Sequence, residues 1–324
     1  MCTAISFNSK DHYFGRTLDL EYHYNESVVI TPRSYCFDFS NGNRLCNHYA
    51  IIGMATVVND YPLYYEATNE KGLSMAGLNF PHNAQYFPVS EDKENIAPFE
   101  FIPFVLSQFE SVDEATQRIK DINLADIDFS EEFRNSPLHW IISDREKSIT
   151  VECTCDGIEI FGNPNGVLTN NPPFEWQMKN LSRYMRKIFS RPDPYVLNEE
   201  NPGMLSKGLE FFGLPGDFSS PSRFVKTVFV KNNSHCGESE NESVTLFFHI
   251  LGCVSTPSGF IRVEGDKQYK TVYTSCCNTD KGIFYYTTYG NSQISAVDMH
   301  KENLDSDSLT VFPLITEQQI NRIN

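Results

Sequence analysis

Positive charge is scarce in this 324-residue sequence: 26 Lys and Arg face 42 Asp and Glu, for a formal net charge of -16. Such a balance disfavours DNA, RNA and anionic membrane surfaces as partners, because each presents negative charge. An anionic small molecule would need local Arg or Lys and a large apolar contact. Long apolar runs are also missing. No segment approaches the roughly 20 residues that span a bilayer. Where a secretion signal would hold an apolar stretch, the first residues include Lys10, Asp11, Arg16 and Asp19. The expectation is a cytoplasmic protein.

Several nucleotide, metal and hydrolase signatures are absent. There is no P-loop, no G-x-G-x-x-G and no G-x-S-x-G elbow, and "GLPGD" (213–217) has too few glycines to cradle phosphate. The eight His form no H-x-x-x-H set, and neither Cys153-Thr154-Cys155 nor Cys276-Cys277 has zinc-type spacing with a second pair. In an alternating strand the C-x-C thiols share one face, so core packing is the expected role. Nine cysteines, odd in number and scattered, suit free thiols in a reducing compartment better than a disulfide framework.

What is present suits an ordered globular chain: 40% hydrophobic residues, with 25 Phe and 16 Tyr. No internal repeat, low-complexity tract or linker divides it, so one domain over 1–324 is expected. "TAISF" (3–7) and "HYFGRTLDL" (12–20), parted by "NSKD", predict a hairpin. Further strands are predicted at 27–33, 49–58, 72–80, 138–144, 148–154, 270–277, 282–290 and 292–299. Helices are predicted at 97–109, at 111–122 behind a Ser111/Glu114 capping box, and at 174–188, 222–230 and 242–254. The polar stretch 231–243 reads as a surface loop. Strands lead, helices intervene and strands close, an order that predicts an α+β fold with mostly antiparallel sheets.

The candidate chemistry begins at Cys2. If Met1 is removed, one residue carries both a thiol and an α-amine. That amine's ordinary pKa, roughly 7.7–8.0, lets it act as a base near neutrality. Taken alone, the dipeptide is better explained by chance. "FGRTLDL" then places Arg16 and Asp19 across from Cys2. An Arg there would lower the thiol pKa, and an Asp would hold the amine. Their separation of three puts them on opposite faces of a regular strand, so the functional reading requires the strand to end or bend near Leu18. Asn79 in "AGLNFP" and Asn170 in "LTNNPPF" sit at strand ends, where an oxyanion could be held, although Asn near Pro is also ordinary turn chemistry. Arg223 stands at a helix start, against the dipole, which hints at another role.

Taken together, "MCT", "FGRTLDL", "NEKGLSMAGLNFP", "VLTNNPPF", "GLPGDFSSPSRFVK" and "TVYTSCC" resemble the choloylglycine hydrolase family of conjugated bile acid hydrolases and penicillin V acylases, in order along essentially the whole chain. The resemblance implies a four-layer αββα N-terminal-nucleophile fold and a homotetramer with no metal or cofactor. By motif it implies that Cys2 is the nucleophile once Met1 is lost, with Arg16, Asp19, Asn79, Asn170 and Arg223 around it. Some penicillin acylase members look to have Tyr where this chain has Asn79, which favours glycine- or taurine-conjugated bile acids as substrate. Penicillin V acylase is the alternative within the fold, and a non-catalytic binding protein the alternative outside it. Leu18, Tyr65, Phe129 and Phe133 align with the family's pocket loops and are implied to line the substrate site. The stretch 189–212 departs from the family by lacking a glycine-rich run, which bears on oligomer geometry.

Overall fold

A computed structural model of the chain describes residues 1–185, 208, 211–263 and 267–324. It opens with the hairpin β1 (Cys2–Asn8) and β2 (His12–Leu20), then β3 (Ser27–Thr31), the two-residue β4 (Phe37–Asp38) and β5 (Arg44–Leu45), β6 (Ile51–Val58), β7 (Tyr61–Asn69) and β8 (Ser74–Asn79). β9 (Glu94–Ile96) leads to helices α1 (Phe101–Gln108) and α2 (Val112–Ile119), then β10 (Ile122–Leu124), β11 (Leu138–Ser143), β12 (Ser148–Thr154), β13 (Gly157–Gly162) and β14 (Val167–Leu168). Helices α3 (Phe174–Leu181), α4 (Ser220–Asn233) and α5 (Glu240–Gly252) precede β15 (Lys270–Asn278), β16 (Ile283–Thr288), β17 (Asn291–Asp298) and β18 (Thr310–Pro313).

Two sheets result. One runs β14-β1-β2-β15-β16-β17 and the other β13-β12-β11-β8-β7-β6-β3-β18, with every pair antiparallel. The sheets face each other through Ala4, Phe14, Leu18, Met54, Ala76 and Leu78, while α4 and α5 add Phe224 and Phe247 to the same core. The far side of the second sheet packs Met75, Trp140 and Val151 against Phe101 and Val105 of α1 and Ala115 of α2. The expected α+β sandwich of two sheets between helical layers is therefore the fold. Burying side chains of this size stabilises by about 1.5–3 kcal/mol each, and both faces of each sheet contribute.

Local signals explain the elements. Ser111 accepts from the Glu114 amide at the start of α2. Glu114 reaches the Glu110 amide instead of Ser111, so only half of the expected box forms. A complete box, Ser239 with Glu242, opens α5. The helices therefore extend into 231–243, and the predicted surface loop shrinks to the link between α4 and α5. The sequence reading missed β7. Its connection to β6 is a two-residue turn in which Asn59 and Asp60 adopt φ of 51° and 60°, the left-handed geometry that hairpin turns favour and Asn and Asp tolerate. The helix expected at 174–188 runs through Leu181, and 186–188 lie outside the described residues.

Two cysteine expectations are corrected. Cys36 and Cys46 flank the β4–β5 hairpin, whose register brings their Cα atoms to 4.1 Å, and they form a disulfide. The C-x-C thiols do not share a face either. β12 ends at Thr154, so Cys153 is buried while Cys155 is exposed.

Candidate active site

Cys2 heads β1, only 3% exposed, with Leu18 as its partner across the hairpin. The strand anchors it on both sides, through β2 and β14. Its backbone nitrogen donates to Asn170 Oδ1 at 2.7 Å, and its carbonyl accepts from Arg223 at 2.5 Å. Arg223 also donates to Thr3 Oγ1 at 2.6 Å and to Asn170 Oδ1 at 2.7 Å. Asn170 Nδ2 donates to the Asn79 carbonyl at 2.7 Å. One chain of hydrogen bonds thus joins Cys2, Asn79, Asn170 and Arg223, residues separated by up to 221 positions.

Arg16 approaches from between the sheets. Its guanidinium donates to the Tyr65 carbonyl at 3.3 Å and to the Gly77 carbonyl, and Glu66 lies 3.8 Å from its Nε. The neighbouring Gly15 lets β2 lie close to β15, since a Cβ there would collide with the Ser275 carbonyl of β15. Asp19 points the other way, its Oδ1 accepting from Thr271 at 2.6 Å. β2 itself stays regular against β1 through Leu18, and the irregularity near Leu18 lies in its neighbour β15. Pairing with β15 jumps from Leu18–Tyr273 to Asp19–Thr271, leaving Val272 extra. Arg16 and Asp19 remain on opposite sides of the sheet, as their spacing of three dictates, and flank the head of β1 from either side.

The charges here are all out of water. Burial pushes the Met1 amine below its ordinary value, against the pull of Cys2 and Asp19. Burial raises the Asp19 carboxyl, opposed by the terminal ammonium and Arg223. For Arg16, burial works against the charge, but Cys2, Tyr273, Glu66 and Asp19 outweigh it and hold the guanidinium above its usual range. Arg223 is lowered by burial, with Asp19 and Cys2 opposing. The result is a buried site of local positive character in an acidic protein. The Met1 amine therefore loses its proton more readily than in water.

Residues that sequence reasoning missed complete the support. Ser220 Oγ accepts from the Asn170 amide at 2.8 Å, and the Gln177 carboxamide donates to the Asn170 carbonyl at 3.3 Å. Glu66, Tyr273 and Ser275 back Arg16, and Thr271 holds Asp19. These are ordinary strand and cap residues in the sequence. The one available signal was Glu66, a carboxylate inside the apolar alternation of "LYYEATN".

The four implied pocket residues separate into two pairs. Leu18 is buried opposite Cys2, and Tyr65 lies beside Arg16 with its hydroxyl 2.9 Å from Thr56 Oγ1. Phe129 packs its ring against Tyr61 at 5.6 Å, Phe99 at 5.2 Å and Phe133 at 6.4 Å, a separate aromatic group whose rings meet one another rather than Cys2. A cleft of about 880 Å³ opens at the other end of β1, lined by Ser6, Asn8, Lys147, Asn163, Lys231 and His235. It contains none of the six candidate residues, so the candidate site rests on the geometry around Cys2 and not on cavity size.

Comparison with known proteins places the chain in a family. Residues 2–312 match the family model described as linear amide C–N hydrolases, choloylglycine hydrolase family. A bile salt hydrolase/transferase of Lactiplantibacillus plantarum is 47% identical over the full length of both chains. The crystal structure of a mutant conjugated bile acid hydrolase from Clostridium perfringens superposes with a TM-score of 0.92 at 39% identity, again over all of both chains. Penicillin V acylase from Agrobacterium tumefaciens shares the fold, with a TM-score of 0.77 at 17% identity over 98% of this chain and 92% of that one.

Proposed function

Because the chain belongs to the choloylglycine hydrolase family, we infer that it hydrolyses the amide joining a bile acid to glycine or taurine. The observation that carries the mechanism is the Asn170 carboxamide. Held by Arg223, it accepts from the Cys2 nitrogen at 2.7 Å, the atom that becomes the α-amine when Met1 is lost. Asp19 Oδ2 is buried with no partner among the described residues. In the processed chain it serves as acceptor for the same amine when protonated.

The reaction then follows the N-terminal-nucleophile route. The Cys2 thiol attacks the amide carbon and its proton passes to the α-amine. The tetrahedral intermediate collapses, the C–N bond breaks, and the amine gives that proton to the departing glycine or taurine. A thioester remains. Water attacks it, the α-amine takes a proton from the water, the C–S bond breaks and the thiol is restored. Arg16 supports thiolate character. Asn79, whose side chain is exposed, and the second N–H of Asn170 donate to the oxyanion. Each such donor is typically worth about 2.7–4 kcal/mol. The transferase half of the relatives' names fits the same thioester, with an amine taking the acyl group in place of water.

Affinity for a steroid comes mainly from apolar area, supplied by Leu18 and Tyr65 beside the nucleophile and by Phe129 and Phe133 further out. The working form is a cytoplasmic homotetramer without metal or cofactor. Among the described residues no helix is long and apolar enough to cross a membrane. The stretch 189–212, which bears on tetramer geometry, lies outside the described residues except for Gly208, Phe211 and Phe212. The deciding experiment measures amine release from glycocholate, taurocholate and penicillin V on protein whose N-terminus is verified as Cys2. Conjugates should turn over fastest, and faster penicillin V cleavage would sink the reading.

A further inference from the structure

Outside the six clustered residues lies a buried histidine–carboxyl pair that the mechanism does not use. His139 of β11 and Glu152 of β12 are 0% and 1% exposed, with Nδ1 3.0 Å from Oε1. The other ring nitrogen, Nε2, faces the Thr169 carbonyl at 2.9 Å. A carbonyl only accepts, so Nε2 donates. The ring then holds its second nitrogen against the carboxylate with a single proton between them. Glu152 Oε1 also accepts from the Phe174 amide at 2.9 Å. The ring face of His139 stacks on Phe80, with centroids 4.2 Å apart and planes 5° from parallel.

The targets of these contacts share one property. Thr169 precedes Asn170, Phe174 closes the same "TNNPPF" segment, and Phe80 follows Asn79. Phe174 also begins α3, the helix whose Gln177 reaches back to the Asn170 carbonyl. Stability is a poor explanation for such a pair. A buried ion pair usually gains little over well-packed apolar residues of the same volume, because desolvation offsets the attraction. What it supplies is fixed direction: two charge-assisted hydrogen bonds and a stacked ring, each with its own geometry.

We propose that His139 and Glu152 are a positioning pair for the oxyanion-binding side chains, holding the Asn79 and Asn170 segments in mutual register. The inference rests on the hydrolase reading, and the test separates the two. Glu152→Gln keeps volume and an acceptor but removes the charge. Phe80→Leu removes the stack and leaves the pair intact, so the test survives if the first variant does not fold. For each variant, kcat and KM on glycocholate are measured alongside the rate at which iodoacetamide alkylates Cys2. Alkylation passes through no oxyanion, whereas hydrolysis passes through two. The expected result is a fall in kcat of about tenfold or more, since small misplacements of reacting groups are costly, with KM within about twofold and alkylation at the parent rate. Folded variants with the parent's kcat would overturn the proposal, as would alkylation slowed in step with hydrolysis, which would place the effect on the thiol. A parent enzyme without turnover of conjugates would instead sink the hydrolase reading.

Discussion

Glu66→Gln isolates the charge of one buried carboxyl. Glu66 lies between the sheets, accepting from Tyr273 and Ser275 at 2.7 Å each, with Arg16 at 3.8 Å and Glu26 as a like-charged neighbour. Burial pushes the carboxyl up from 4.5 to about 7, against the pull of Arg16. The folded chain therefore keeps a proton that the unfolded chain releases. The contribution is fully present below about 4.5 and is lost as pH rises through about 7, a change of about 3 kcal/mol. His12 runs in the opposite direction. Enclosed by Ser6, Thr279 and Ser143, with Asp280, Asp144, Arg145 and Lys231 as its charged surroundings, it is pushed down from 6.5 to about 4 by burial. Its contribution is present above about 6.5 and is lost as pH falls through about 4, by a similar amount. The two windows overlap and largely cancel, so the parent's stability should change little on their account between pH 5 and 8. The variant removes only the first effect. Urea unfolding at the two pH values should find Glu66→Gln equal to the parent at pH 5 and about 3 kcal/mol more stable at pH 8. A difference that does not vary with pH, or a variant less stable at pH 8, would show that Arg16 keeps Glu66 ionised, and would refute the reasoning.

Cys2→Ser should abolish turnover of conjugates while leaving the circular dichroism spectrum and melting temperature near those of the parent; unchanged turnover would remove Cys2 as nucleophile. Asn170→Ala deletes the acceptor of the Cys2 nitrogen and the tether to Asn79, and kcat should fall by about 10²–10³-fold or more, read by steady-state kinetics on glycocholate. Trp140→Ala empties a fully buried site beside Phe101 and should cost about 3–5 kcal/mol in urea unfolding, with kcat per folded molecule little changed.

Much of this was legible in the sequence because the signals are local. β-type runs bounded by turn residues marked β1, β2, β8, β11 and β12, and a serine three residues before a glutamate marked α2. The six residues now gathered at the site were all named from their motifs. The misses have physical causes. β7 escaped because its turn relies on Asn59 and Asp60 in left-handed backbone, a choice that composition states weakly. The Cys36–Cys46 pair escaped because two thiols ten residues apart carry no sign of the hairpin between them. Glu66, Thr271, Gln177, His139 and Glu152 escaped because a polar residue in a strand reads the same whether it meets water or another side chain.

The sequence alone therefore marked most strands and helices, and the resemblance of its motifs to one family supplied the layer order and the six candidate residues, since turn signals and motifs are properties of short segments. The tertiary structure decided how those groups meet. It placed Arg16 between the sheets and Asp19 on the other side, aimed the Asn170 oxygen at the Cys2 nitrogen, and set a buried His–Glu pair behind both Asn segments. Those relations join residues up to 221 positions apart. They depend on sheet register and on the desolvation that accompanies burial, and a linear pattern encodes neither.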